Sequence, residues 1–278
     1  MKSILISGAS SGIGSATALH LDRLGMRVFA GVRDPADGEA LAARASDRLH
    51  PLAFDVRDGD GITRAVGNIA ETVGASGLDG LVNGAGEGYP GPLEIVPLDQ
   101  IREQLEVNVI GQIAMTRAAL PLLRLGHGRI VFIGSVGGRM ALRFAGPYHA
   151  SKYAIEAIGD CWRQELEPDG IAVSIVEPGP ISTPIWSKGA ERVDELLADR
   201  SPAVDRYRDA LRAFRESLTS ADEKGASPDK VAAVVEKALT AQRPSTRYPV
   251  GAAARFTTAV KPLVPDRLFD RIAHHVTQ

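Results

Sequence analysis

The chain has 278 residues, 44% of them apolar and 24% charged, and its net charge at neutral pH is −2. Those proportions suit a soluble globular protein with a buried core, and the near balance of charge excludes a nucleic-acid footprint. A single cysteine, Cys161, excludes an internal disulfide and any multi-cysteine metal site.

The opening "MKSILISGAS" is too short for a signal-peptide core and meets a glycine loop at once. No stretch approaches the ~18 apolar residues that a spanning helix needs, so a cytoplasmic location is expected. Short apolar runs rich in β-branched residues follow at 4–7, 27–32, 49–55, 78–82, 129–134 and 172–177, each bounded by Gly, Pro or Asp. Between them, 13–24, 62–73, 101–125 and 151–166 have helical character. Strands apolar on both faces and alternating with helices predict an α/β fold of the Rossmann type. The expected sheet is parallel and doubly wound, with about seven strands and helices on both faces. Residues 185–224 are charged and helical in composition, and 191–224 reads most simply as a solvated face. Ser227 and Pro228 start a helix over 228–241, 247–251 is the last strand, and 252–278 is a C-terminal extension. Nothing marks a boundary, so 1–278 is read as a single domain.

The first chemistry-bearing motif, "SGASSGIG", directly follows the first strand. Gly8, Gly12 and Gly14 form G-x-x-x-G-x-G, with Ser10, Ser11 and Ile13 in between. Glycines let the backbone turn tightly and approach a pyrophosphate, while the following helix offers amides and a favourable dipole. At the end of the second strand an acidic residue would take the ribose 2′-hydroxyl of NAD, whereas an arginine accommodates a 2′-phosphate. Here Val32 and Arg33 stand there, and Asp34 before Pro35 reads as a helix N-cap. The expected cofactor is therefore NADP(H) rather than NAD(H).

Ser135 ends the fifth strand, on the edge where such sheets place ligands, so its hydroxyl can polarise a substrate oxygen. Tyr148 and Lys152 fall four residues apart on one helix face. A phenol ionises near pH ~10 and needs a neighbouring cation to act as a base at neutral pH. The Tyr-Lys spacing alone also occurs by chance on surface helices. His149, at the next position, faces elsewhere and is expected at the substrate mouth or on the surface. Cys161 beside Trp162 suggests packing or an interface. The six histidines show no metal-ligand spacing, so no metal is expected.

Taken together, "SGASSGIG", "NGAG" at 83–86, "VNVIG" at 107–111, "IVFIGS" ending at Ser135, "YHASK" and "EPGPIST" at 177–183 resemble the short-chain dehydrogenase/reductase family, in its short single-domain branch. The texture of "VFAGVRDP" and "SKYAIEAIGDCWRQEL" is similar to its retinol- and hydroxysteroid-dehydrogenase side. The resemblance covers residues 1 to about 184, in order and spacing. It implies catalysis by Ser135, Tyr148 and Lys152, with Lys152 also holding the nicotinamide ribose. Asn108 would hold a water for proton relay, or bond backbone inside its helix. Asp55 and Val56 would contact the adenine, although Asp55 also fits a turn closing the third strand. Asn83, Gly84, Ala85 and Gly86 would line the cofactor, and Pro178, Gly179, Ile181 and Thr183 would bind its carboxamide. Gly84 replaces the family's usual second Asn, with a small expected effect on stability. Residues 185–225 correspond to a substrate lid whose length and apolar content suit a bulky, steroid- or retinoid-like alcohol, ketone or aldehyde. The helices at 101–125 and 151–166 imply a homodimer, with a tetramer as the alternative assembly. A non-catalytic NADP(H)-binding sensor on the same fold is the alternative function.

Overall fold

A computed structural model describes residues 1–276 of the chain; the last two residues of the expected C-terminal extension lie outside the described residues. The parallel strands β1 (Ser3–Ser7), β2 (Arg27–Val32), β3 (Leu49–Ala53), β4 (Gly80–Asn83), β5 (Arg129–Ile133), β6 (Ala172–Pro178) and β7 (Arg247–Val250) form one sheet. Among the described residues its order is β3-β2-β1-β4-β5-β6-β7. Alternation along each strand divides the core in two, as a period of two requires. In β1, Leu5 packs with α3 (Gly59–Val73) and α5 (Gly111–Leu125), through Ile62, Ile69, Met115 and Leu123. Ile4 and Ile6 face the other way, onto α1 (Gly12–Arg23) and α10 (Pro228–Thr240), through Leu21, Val231 and Leu239.

The capping signals place two helix starts. Asp34 accepts from Ala36 N at 2.9 Å and opens α2 (Pro35–Ala42). Ser227 accepts from Asp229 N at 3.2 Å and opens α10. The helix expected over 101–125 is instead three pieces: α4 (Leu98–Leu105), a π turn at Glu106–Ile110, and α5. The π turn carries Asn108, whose side chain leaves the helix to hold a neighbouring loop. That is the usual setting of a π-bulge.

The segment after β6 folds as α7 (Ile185–Ala198), α8 (Pro202–Asp205) and α9 (Arg208–Glu223). These helices bury Val193, Val204, Leu211 and Leu218 in a small core of their own, apart from the two sheet-facing layers. After β7 the chain is again helical, in α11 (Ala252–Val260) and α12 (Asp266–Val276). Among the described residues, no helix is long and apolar enough to cross a membrane.

Candidate active site

β1 and β4 are neighbours although far apart in sequence, with Ser7 in register with Asn83. Crossovers leave this point in opposite directions, so the loops beyond the two strands part and open a crevice. It holds a cavity of about 410 Å³. The loop after β1 contributes Gly8, Ser10, Ser11, Gly12, Ile13 and Gly14 to its lining. Gly8 and Gly12 have φ of 74° and 54°, in the left-handed region. A methyl group on Gly8 would come within 2.6 Å of Ala85 N and Cα, and one on Gly14 within 2.0 Å of Gly8 O. Ser11, at the N-cap of α1, makes no side-chain cap bond, so the first-turn amides remain free beside the cavity. A glycine cradle closed to side chains, facing free amides and a helix N-terminus, fits the pyrophosphate of a dinucleotide.

Gly84, Ala85 and Gly86 also line the cavity. A methyl on Gly84 would stand 2.8 Å from Ser7 O, so the loop as built fits glycine there. Asn83, expected at the cofactor, does not reach the cavity. It is fully buried, and its Nδ2 donates to Thr116 Oγ1 at 2.9 Å, tying β4 to α5.

Arg33, Asp55 and Val56 border the crevice beyond β2 and β3, where Asp37 joins them unforeseen. Asp34 is occupied by its capping bond. Arg57 Nη2 lies 2.7 Å from Asp55 Oδ2, and this guanidinium holds the carboxyl below its ordinary range. Arg33 Nη1 reaches across to Glu87 Oε1 at 2.6 Å.

Ser135, Tyr148 and Lys152 meet beyond β5, again on the cavity lining. Ser135 Oγ accepts from Gly137 N at 3.0 Å, which fixes the turn around it. Tyr148 and Lys152 lie one turn apart near the start of α6 (Gly146–Glu165). Lys152 Nζ donates to Ile133 O at 2.8 Å and stands 5.8 Å from the Tyr148 ring centre. Burial lowers the ammonium pKa to about 8, with the Glu156 carboxylate acting in the opposite sense. Burial raises the Tyr148 phenol, and the Ser135 hydroxyl draws it partly back. Asn108 bonds backbone, but that of the loop beyond β4 rather than of its own helix. It lines the cavity, yet its Oδ1 accepts from Glu87 N at 2.8 Å and its Nδ2 donates to Glu87 O and Ser151 Oγ, each at 3.0 Å.

His149 is neither at the mouth nor on the surface. It is buried, and Nδ1 lies 2.8 Å from Gly137 O. A carbonyl only accepts, so Nδ1 carries the proton, and the ring fastens the Ser135 turn to α6. Burial lowers its pKa and keeps it neutral. Cys161 is exposed on α6.

Pro178, Gly179, Ile181 and Thr183 follow β6 along the cavity, and Ile185, Trp186, Lys188 and Arg192 of α7 continue its lining. Glu87 and Arg192 were not foreseen. Arg192 stacks on Tyr89 with its guanidinium carbon 3.6 Å from the ring centre, and its Nη2 lies 2.7 Å from Glu87 Oε2. Glu87 thus joins Arg33 to the helix beyond β6. Its place directly after Gly86 in "NGAGEG" was the available signal.

Residues 2–194 match the short chain dehydrogenase family. The NADPH-dependent 3-dehydrocapnine reductase of Ornithobacterium rhinotracheale is 34% identical, over 98% of this chain and 96% of that protein. Mouse retinol dehydrogenase 5 is 37% identical, over 97% and 86%. The crystal structure of a short-chain dehydrogenase from Streptomyces avermitilis superposes with a TM-score of 0.77 at 27% identity, covering 94% of this chain and 92% of that one. Sequence, sheet order and relatives agree, and the chain belongs to the short-chain dehydrogenase/reductase family, on its retinol- and hydroxysteroid-dehydrogenase side.

Proposed function

We propose that the chain is an NADP(H)-dependent oxidoreductase interconverting a bulky apolar secondary alcohol and its ketone, or a primary alcohol and its aldehyde. The reading rests above all on one observation. Ser135, Tyr148 and Lys152 border the same cavity as a glycine cradle closed to side chains. A nicotinamide dinucleotide bound there would donate or accept the hydride. In carbonyl reduction Tyr148 donates its proton to the substrate oxygen, while Ser135 steadies that oxygen by hydrogen bonding. Lys152 stabilises the resulting phenolate by its charge and holds the cofactor ribose. Asn108, whose two polar atoms are engaged with Glu87, fixes the loop beyond β4 and assists the proton path. Asp55 and Val56 would flank the adenine. Ser10, Ser11 and the amides of Gly12, Ile13 and Gly14 would cradle the phosphates.

Retinol dehydrogenase 5 and 17-beta-hydroxysteroid dehydrogenase type 6 among the relatives, with Ile185 and Trp186 on the cavity lining, support a steroid- or retinoid-like substrate under a lid formed by residues 185–225. The reading extends to a cytoplasmic homodimer. Leu105, Ile110, Leu125 and Tyr153 are exposed on α4–α6 and offer an apolar contact surface. The test is kcat/KM with NADPH and NADH over a panel of steroid, retinoid and small carbonyl compounds. NADPH consumption with the bulky members is expected. No turnover of any member would favour a binding protein instead.

Arg33 is central to cofactor choice. Asp34 is engaged by Ala36 N, whereas Arg33 can exchange Glu87 for a 2′-phosphate. Arg33→Ala should raise KM for NADPH about 10-fold to 100-fold and leave KM for NADH nearly unchanged, given ~1.5–3 kcal/mol for a charge-assisted bond. An equal loss with both cofactors would refute the assignment.

The pH profile follows from Lys152. Its ammonium pKa is lowered to about 8, so the charge is present at neutral pH and lost on the alkaline side. Carbonyl reduction should therefore decline above that pH, approaching about tenfold per pH unit in kcat/KM. A profile flat to strongly alkaline pH would show that the Lys152 charge is dispensable.

A further inference from the structure

Behind Lys152 two glutamates meet from different elements. Glu156 lies one turn further along α6, and Glu177 precedes Pro178 at the end of β6. They are 6% and 1% exposed. Glu156 Oε2 accepts from Arg247 Nε at 2.9 Å, and Arg139 Nη1 stands 3.7 Å away. Glu177 Oε1 is 3.7 Å from Arg247 Nε and 3.9 Å from Arg139 Nε, too far for hydrogen bonds. The Oε1 atoms of both glutamates are buried and without a hydrogen-bond partner.

Other charges face the pair from each packed element. Lys152 and Asp160 come from α6, Arg139 from the turn after Ser135, and Arg247 from β7. Arg247 divides itself, with Nη2 on Asp160 Oδ2 at 2.8 Å, and Asp160 is also held by Arg163. Arg139 and Arg247 thus face both glutamates, yet only Glu156 receives a hydrogen bond from either. Leaving a buried carboxylate oxygen unpaired is costly, and neighbouring carboxylates resist joint ionisation. One proton shared by the two carboxyl groups would relieve that conflict.

We propose that Glu156 and Glu177 share a single proton, and that this carboxyl–carboxylate pair acts as a positioning device for Lys152 and for the turn carrying Ser135. Burial, and next the Glu156 charge, push Glu177 up to about 7, while burial also raises Glu156. Glu156 packs directly on the glycines either side of Ser135. A methyl on Gly134 would lie 3.2 Å from its Oε1, and one on Gly138 3.0 Å from its Cγ. Its charge partly restores the Lys152 ammonium, which burial weakens. Glu177 links the pair to Pro178 and Gly179, which line the cavity. The shared proton is independent of the proposed reaction, whereas its influence on turnover rests on that reading.

The test combines infrared spectroscopy, thermal melts and pH–rate profiles of wild type, Glu156→Gln and Glu177→Gln. At about pH 6 the wild type should show the carbonyl band of a buried protonated carboxylic acid, absent from both variants. A raised native pKa means that the folded chain binds more protons than the unfolded chain between the ordinary value of 4.5 and about 7. The pair's contribution is therefore present at low pH and lost as pH rises through that window. Wild-type Tm should fall across it by several degrees more than that of Glu177→Gln. Glu156→Gln removes the anion beside Lys152 and should move the alkaline limb of kcat/KM to lower pH, whereas Glu177→Gln should leave it in place. If a variant does not fold, titration of the wild-type infrared band decides alone. No protonated band, or melts with the same pH dependence in all three proteins, would overturn the shared proton. An unmoved limb in Glu156→Gln would overturn the positioning role. An inactive wild type that shows the band would refute the reaction and leave the pair standing.

Discussion

Tyr148→Phe should bind NADPH as the wild type does and turn over about 10²-fold to 10⁴-fold more slowly, the usual contribution of a positioned general acid. The substitution removes one oxygen and leaves the ring that packs at the start of α6. Ser135 Oγ keeps its bond from Gly137 N, and Lys152 Nζ keeps Ile133 O, so only the Ser135 hydroxyl loses a contact, the one to the phenol. Stability should change by about 1 kcal/mol or less, since Ser135 Oγ still accepts from Gly137 N. Burial already holds the phenol protonated at neutral pH, which suits donation to a carbonyl oxygen. In the oxidative direction the same group must lose its proton, and the Lys152 charge then matters most. Quenching or enhancement of NADPH fluorescence reports binding, and single-turnover reduction reports chemistry. Activity within a few-fold of wild type would remove Tyr148 from the proton path and with it the proposed mechanism.

The sheet and most helix starts were legible because their causes are local. β1, β2, β4, β5 and β6 are largely apolar, buried runs, as strands covered on both faces must be, and Asp34 and Ser227 signal helix starts through bonds two residues long. The glycine loop, Ser135, Tyr148 and Lys152 line one cavity, and that grouping was signalled by the ordered series of motifs rather than by the Tyr-Lys spacing alone. What failed was decided across the fold. The interruption of 101–125 depends on Asn108 meeting Glu87 and Ser151, which lie 21 and 43 residues away. Asn83 turned inward because Thr116 offered an acceptor on α5. His149 was drawn under the Ser135 turn by Gly137 O, a partner that helix periodicity does not contain. Arg192 read as one charge on a solvated face, but Tyr89 and Glu87, about a hundred residues earlier, bring it to the cavity.

Gly14→Ala tests the cradle, and it should cost at least about 3 kcal/mol in stability and abolish dinucleotide binding. The added methyl would stand 2.0 Å from Gly8 O, 2.8 Å from Gly8 C and 3.1 Å from Ala9 Cα. All three are backbone atoms, so no side chain can rotate to relieve the overlap. Either α1 moves away from β1 or the loop opens, and each exposes apolar surface of Ala18, Leu19 and Leu21 beneath α1. The loop cannot shift alone, because Gly8 is itself pressed against Ala85 in the loop after β4. Gly67→Ala is the matched control. Gly67 lies inside α3, is exposed, and has no atom within 4 Å of an added methyl. There alanine should stabilise the chain by about 0.5–1 kcal/mol through helix propensity and lower unfolded-state entropy. Denaturant melts of both variants, with NADPH titrations, separate the outcomes. A Gly14→Ala protein that melts like wild type and binds NADPH would mean that the tight turn between Gly8 and Gly14 is not needed to form the cradle.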